Sequence, residues 1–191
     1  MPVSGDFKLS SFRSKFVPVR PNLFTARITL GTNLSSLYNE IKDTFEFRVE
    51  SAEFPGRNFA VGEIQGGGGP AVKVMQDVIY SDITLTIICS EDFKERKFFD
   101  NWMNYMYKDF KYAGILYAGT NSRGLHAYYN DYAKFNTLTI YQWRQDGTLI
   151  HTSEMYEIFP TSLSSMTANW DERDTYQRFT VTLAYNRMQM K

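Results

Sequence analysis

Phe159–Tyr185 reads FPTSLSSMTANWDERDTYQRFTVTLAY, and its last part decides the fold. Phe179, Val181, Leu183 and Tyr185 alternate with Arg178, Thr180, Thr182 and Ala184. A period of two over that length is a strand with one buried face. Pro160 has no amide to give a ladder, so it predicts the end of the preceding strand and not its interior. Between them lies a polar junction, Asn169, Trp170, Asp171, Glu172, Arg173 and Asp174, in which Trp170 is expected to act as an anchor. Consecutive strands joined by a structured crossing instead of a tight turn predict an antiparallel β-sandwich or barrel.

Working back from there, Leu138, Ile140 and Gln142 oppose Thr139, Tyr141 and Trp143. Asp146-Gly147 then signals a hairpin, with residues 149–158 returning antiparallel. Ile83, Leu85, Ile87 and Cys89 alternate with Thr84, Thr86 and Ile88 in what reads as a central strand. Ser90 follows as a candidate N-cap, with Glu91 and Asp92 where the helix macrodipole favours negative charge. One long amphipathic helix is therefore expected over about 91–107, burying Phe98, Phe99, Trp102, Met103, Tyr105 and Met106 and exposing Lys94, Lys97, Asp100, Asn101 and Asn104.

Nearer the start, residues 22–30 read as a strand after Pro21, and Gly31 to Ser36 as a polar turn. Phe45, Phe47 and Val49 alternate with Glu46, Arg48 and Glu50, which predicts a strand with one charged face. Phe54-Pro55-Gly56 ends it. An excursion over 56–70 contains Gly66, Gly67, Gly68 and Gly69; no Gly-Lys-Ser/Thr follows, so a phosphate-cradling loop is not indicated and a flexible hairpin tip is. Val72 resumes a strand, and the segments at Val49 and Val72 are expected to pair. Residues 108–135 read as a tyrosine-rich extended loop, better suited to a protein contact than to nucleic acid.

Composition bounds the function. With 43% hydrophobic and 22% charged residues, the 191-residue chain suits one folded domain, residues 1–191, with an irregular arm at 1–20 and the glycine-rich excursion at 56–70. Lys plus Arg equals Asp plus Glu at 21 each, so no global basic field exists to hold a polyanion. Cys89 is the single cysteine and is expected to be a small buried hydrophobe. No apolar run approaches the roughly 18 residues of a membrane span. The first residues lack a secretory core, which points to folding in a reducing cytoplasm. His126 and His151 have no metal-ligand spacing around them, and no nucleophile has a recognisable base nearby. No catalytic, cofactor or metal residues are assigned, and an enzyme is not expected.

Several motifs in order carry a resemblance: Arg20-Pro21-Asn22-Leu23-Phe24, Phe54-Pro55-Gly56, Phe98-Phe99-Asp100-Asn101-Trp102, Pro160-Thr161, Trp170-Asp171 and the terminal Phe-x-Val-Thr-Leu-x-Tyr. Together they resemble the tail tube proteins of contractile-tailed bacteriophages. The resemblance implies a structural subunit of hexameric rings that stack into a hollow conduit for genome and tape-measure protein during ejection. Its implied partners are further copies of itself, the tail sheath protein, a baseplate tube-initiator and the tape-measure protein. Duplex DNA would pass transiently without specific binding, and no membrane is involved. The implied location is the virion tail, assembled in the host cytoplasm. Arg57, Phe59 and Gly66 to Gly69 would then belong to a ring-stacking loop, with Trp102, Pro160, Trp170 and Phe179 as structural anchors. A baseplate tube-initiator or the inner-tube protein of a secretion system is the near alternative. A soluble β-barrel ligand-binding protein or enzyme is the distant one.

Overall fold

The computed structural model describes residues 19–39, 41–42, 44–65, 69–107, 127–170 and 175–191. Its elements are β1 (Phe24–Thr29), α1 (Ser35–Tyr38), a 3-10 turn (Phe45–Phe47), β2 (Val49–Ala52), β3 (Arg57–Ile64), β4 (Val72–Tyr80) and β5 (Ile83–Ile88). They continue with α2 (Lys94–Tyr107), α3 (Tyr129–Tyr132), β6 (Thr137–Trp143), β7 (Leu149–Tyr156), β8 (Phe159–Leu163), β9 (Arg178–Ala184) and β10 (Arg187–Met190). The fold is mainly β with one long helix, as the alternation predicts.

One sheet has the order β1-β6-β7-β10, the second β2-β5-β9-β8, and β3-β4 forms a separate two-stranded ribbon. Every pairing is antiparallel. Neither four-stranded sheet closes on itself, so the barrel alternative is set aside in favour of two open sheets facing a common core. Ile83, Leu85 and Ile87 of β5 and Phe179, Val181 and Leu183 of β9 fill that core from one side, and Ala26, Ile28, Leu138, Ile140 and Met155 from the other. Helix α2 adds Phe98, Phe99, Trp102 and Tyr105, with the Phe99 ring 5.9 Å from that of Phe179. Each large apolar side chain so buried contributes about 1.5–3 kcal/mol.

Several expectations require correction. Residues 45–47 coil into a 3-10 turn, so Phe45 is buried while Phe47 is 81% exposed, and the three charged neighbours share no face. Glu46 pairs with Arg27, Arg48 with Glu95 and Glu50 with Arg178. Strand β2 pairs with β5 and β4 with β3, so Val49 and Val72 are not partners. The helix begins at Lys94, after a turn at 91–92 and a left-handed Phe93 (φ 54°). Ser90 does not cap it with its oxygen; instead its amide and hydroxyl both donate to the buried Glu95 carboxylate, at 3.0 and 2.9 Å. Arg48 supplies the compensating charge that a buried carboxylate needs.

Pro160 lies inside β8 and not at the end of β7. The strand tolerates it because β8 is an edge of its sheet and is bulged between Pro160 and Ser162. Trp170 is 98% exposed, so among the described residues it is not an anchor: the crossing at 164–170 leaves it outside the core. The turn after Gly31 contains the short helix α1, residues 129–132 form α3 within the stretch read as a loop, and β10 was not anticipated. Residues 1–18, Gly66 to Gly68, 108–126 and 171–174 lie outside the described residues, and with them most of the arm, the glycine tip and the basic part of the tyrosine-rich segment.

The chain passes from the first sheet to the second between β7 and β8, and Asn136 holds that passage. Its backbone carbonyl accepts the amides of Glu157 and Ile158 at 2.9 and 3.3 Å. Its side-chain oxygen accepts the Gly31 amide at 2.9 Å, while its side-chain nitrogen donates to the carbonyls of Tyr132 and Ile158. Glu157 itself is left-handed (φ 61°), a conformation that disfavours a Cβ-bearing residue. Its carboxylate is gripped by Tyr129 Oη at 2.7 Å, Asn186 Nδ2 at 3.2 Å and Arg187 at 2.6 Å.

Asn136→Ala removes the acceptor for Gly31 and the donor to two carbonyls, so it is expected to destabilise the fold by about 1–3 kcal/mol in urea denaturation. A pH dependence follows from the same corner. The Tyr129 hydrogen bond, aided by Asn186 and Arg187, holds the Glu157 carboxyl below its ordinary range. A folded-state value below the unfolded one stabilises the fold above the ordinary Glu value of about 4.3, and that stability is lost as pH falls beneath it. Denaturation midpoints should therefore drop on acidification in this window, and Glu157→Gln should flatten that drop; an unchanged acid limb in the variant would refute the assignment.

Candidate assembly surfaces

The β3-β4 ribbon stands apart from both sheets and is, among the described residues, the largest display of uncovered apolar side chains. Its register places Arg57 opposite Tyr80, Phe59 opposite Val78, Val61 opposite Met75 and Glu63 opposite Lys73. The other face carries Asn58 with Ile79, Ala60 with Asp77, Gly62 with Val74 and Ile64 with Val72. A bulge at Gln76, between the partners of Ala60 and Val61, keeps both faces apolar. A Cβ on Gly62 would meet the Gln76 side-chain amide at 2.0 Å, so glycine leaves the room that the bulged residue occupies.

Phe59, Val61, Ile64, Val72, Met75 and Ile79 are each at least half exposed. An isolated two-stranded ribbon is marginal in water, and a contiguous apolar surface of this kind marks an interaction site. Its base is fixed. Arg57 lies over the Tyr80 ring at 6.0 Å, Tyr80 packs on the buried Tyr185 at 5.4 Å, and Tyr185 Oη donates to the Gly56 carbonyl at 3.4 Å. Burial, then the neighbouring Tyr80, raises the Tyr185 phenol above its usual range, so it stays protonated as that donor.

Of the residues singled out from sequence, Arg57 and Phe59 lie on one face of this ribbon and Gly69 is in the connection between its two strands. Trp102 and Phe179 are buried in the core, with Trp102 Nε1 donating to the Tyr132 carbonyl at 3.2 Å. Pro160 is buried on β8. The alternation in Phe59, Val61 and Val72, Val74 was visible, but the glycine run drew the reading to the tip and away from the strands that carry the apolar surface.

The sheets offer further surfaces. Strands β1 and β10 are the edges of one sheet and β2 and β8 of the other. The loop after β8 presents Trp170, and Tyr176 before β9 is 76% exposed. Among the described residues no group of three or more His, Cys, Asp or Glu is placed to hold a metal ion. No described helix is long and apolar enough to cross a membrane.

No curated protein matches the sequence. Solved structures match in fold. A chain of the cryo-EM structure of an extracellular contractile injection system, PVC sheath-tube complex in the extended state, is 17% identical, with 97% of this chain and 99% of that one covered and a TM-score of 0.59. A chain of the anti-feeding prophage cap, described as a tube terminating cap, is 17% identical over 100% and 99% of the two chains, with a TM-score of 0.60. A chain of the anti-feeding prophage baseplate is 12% identical over 92% and 97%, with a TM-score of 0.59. The model of the phage tail tube protein family matches residues 8–191, and the chain belongs to that family of structural tube proteins.

Proposed function

We propose that the protein is the subunit of a phage tail tube in which six copies close into a ring and rings stack into a conduit for genome and tape-measure protein. The observation that carries this reading is the β3-β4 ribbon, apolar on both faces and left uncovered by the described residues. A solitary subunit would hold that surface in water, whereas a stack of rings covers it with the next ring. Arg57, Phe59 and the turn that includes Gly69 are then ring-stacking residues. The chain acts as one tail-tube-type domain, with residues 1–20 as an arm.

Sheet edges that invite aggregation in a monomer become seams when copies close symmetrically. The fold's likeness to chains from sheath-tube, tube-cap and baseplate assemblies supports a sheath protein and a baseplate initiator as partners. The location that goes with this reading is the tail of a virion put together in the host cytoplasm. The baseplate likeness also favours a second reading, an initiator that forms the first ring only. Growth of the purified protein into long tubes separates the two, since an initiator would stop at single rings.

The double variant Phe59→Ser with Met75→Ser changes only exposed side chains, so its circular dichroism and denaturation midpoint should match the parent. In negative-stain images it should give rings and no long tubes; normal tubes from this variant would defeat the stacking role. A conduit wall must also release DNA. Each phosphate held by a cation adds salt-dependent affinity, so the wall is expected to carry no net positive charge. Assembled tubes should bind duplex DNA no better than a non-specific control at physiological salt, and tight, salt-sensitive retention in a filter or gel assay would contradict this.

A further inference from the structure

The two four-stranded sheets turn chemically different faces away from the core, and we propose that the outward face of β2-β5-β9-β8 lines the conduit while that of β1-β6-β7-β10 faces away from it. The assignment rests on the tube reading above. On β5 and β9, Thr84 stands opposite Thr182 and Thr86 opposite Thr180, all four half-buried on the side away from Ile83, Leu85, Phe179 and Val181. Ser162 joins Thr182 from β8, and Ser51 joins Thr86 from β2. The charged pair of this face, Arg178 with Glu50 at 3.2 Å, cancels itself. Larger apolar groups enter at its two ends, Ile88 beside Arg178 and Phe159 beside Ala184.

The other sheet's outward face also carries threonines, Thr25, Thr139 and Thr152 among them, but interleaves them with aromatic and charged side chains. Tyr141 and Trp143 sit on it with ring centroids 6.2 Å apart, and Tyr156 lies two strand positions beyond Glu154. Arg27, Arg187 and Lys191 bring three cations, matched to Glu46, Glu157 and Glu154 at the surface. Both faces balance their charge, but this one carries three exposed cations to the other's one, so it offers the phosphates of a passing duplex more contacts. A face made mostly of neutral hydroxyls, solvated by water, offers fewer.

Size and connection agree with chemistry. Side chains inside a closed ring of sheets crowd toward the axis, and those outside spread apart, so short residues suit the concave side and bulky ones the convex side. The hydroxyl face is made of Thr, Ser and Ala in its middle, and the opposite sheet carries the Tyr and Trp. The apolar ribbon springs from between β2 and β5, which are neighbours in the hydroxyl-faced sheet. The stacking element therefore rises from the rim of the wall it would continue into the next ring.

The test uses the full chain with Cys89→Ser, carrying Thr182→Cys on one face or Gln189→Cys on the other, assembled into tubes. Each is exposed to a small maleimide and to a maleimide attached to a folded protein too large to enter the bore. Thr182→Cys should lose its reaction with the large reagent on assembly and keep it with the small one, while Gln189→Cys reacts with both. Should Thr182→Cys fail to assemble, Thr84→Cys asks the same question from the adjacent strand. Reaction of Thr182→Cys or Thr84→Cys in tubes with the large reagent, or with neither reagent, overturns the assignment and leaves the tube reading standing. Failure of the unsubstituted chain to form rings or tubes removes the tube reading itself, and the assignment with it.

Discussion

One buried asparagine lets this chain build two sheets around one core. Leaving the first sheet after β7 and entering the second at β8 requires a sharp change of direction at Glu157 and Ile158, where no ladder partner is at hand for the backbone amides. Asn136 meets both amides with its carbonyl and spends its side chain on Gly31, Tyr132 and Ile158. A buried polar group of this kind is costly unless it is satisfied, and here it is satisfied from three segments of the chain at once. The left-handed Glu157 is held by the same corner, with its carboxylate tied to Tyr129, Asn186 and Arg187. The facing of Leu138 and Met155 toward Val181 and Leu183 depends on that turn being made there and nowhere else.

What could be read beforehand was whatever local pattern and burial agree upon. Strands β5 and β9 alternate cleanly because one side meets the core and the other meets water, and the Asp146-Gly147 turn fits because Gly147 is left-handed (φ 81°). The helix stripe is read from Phe98, Phe99, Trp102 and Tyr105 for the same reason. Phe45 and Phe47 misled because two aromatics at a spacing of two mimic a strand, while the 3-10 turn sends one inward and leaves the other in solvent. Pro160 misled because its meaning depends on whether a strand is central or at an edge, and an edge is a tertiary fact. Trp170 misled because a large aromatic is ordinarily buried. Glu95 gave no signal at all: its role depends on Arg48, distant in sequence and brought near by the β2-β5 pairing.

The assembly surface was half legible. The glycine run announced a loop, and the family resemblance gave it a role, but residues 57–64 read as part of that excursion and not as a strand with its own apolar surface. Nothing local separates such a strand from a core strand. Phe59 and Val61 have the composition of buried residues, and only their exposure among the described residues marks them as waiting for a covering layer. Consistency between pattern and burial is the ordinary sign of a self-sufficient fold, so a segment with core composition and surface exposure is where a subunit's sequence answers to its assembly.

The same logic explains why threonine suits the face assigned to the conduit. Its branched Cβ fits the pleated backbone and favours the strand as valine does. Its hydroxyl keeps the exposed side hydrated, which valine would not, and without the charge that lysine would bring. A valine wall would present adhesive apolar surface to whatever passes, and a lysine wall would bind phosphate. The cross-strand pairs Thr84 with Thr182 and Thr86 with Thr180 thus satisfy folding and passage together, because the property that stabilises the strand lies in the branch point and the property that spares the cargo lies in the oxygen beyond it.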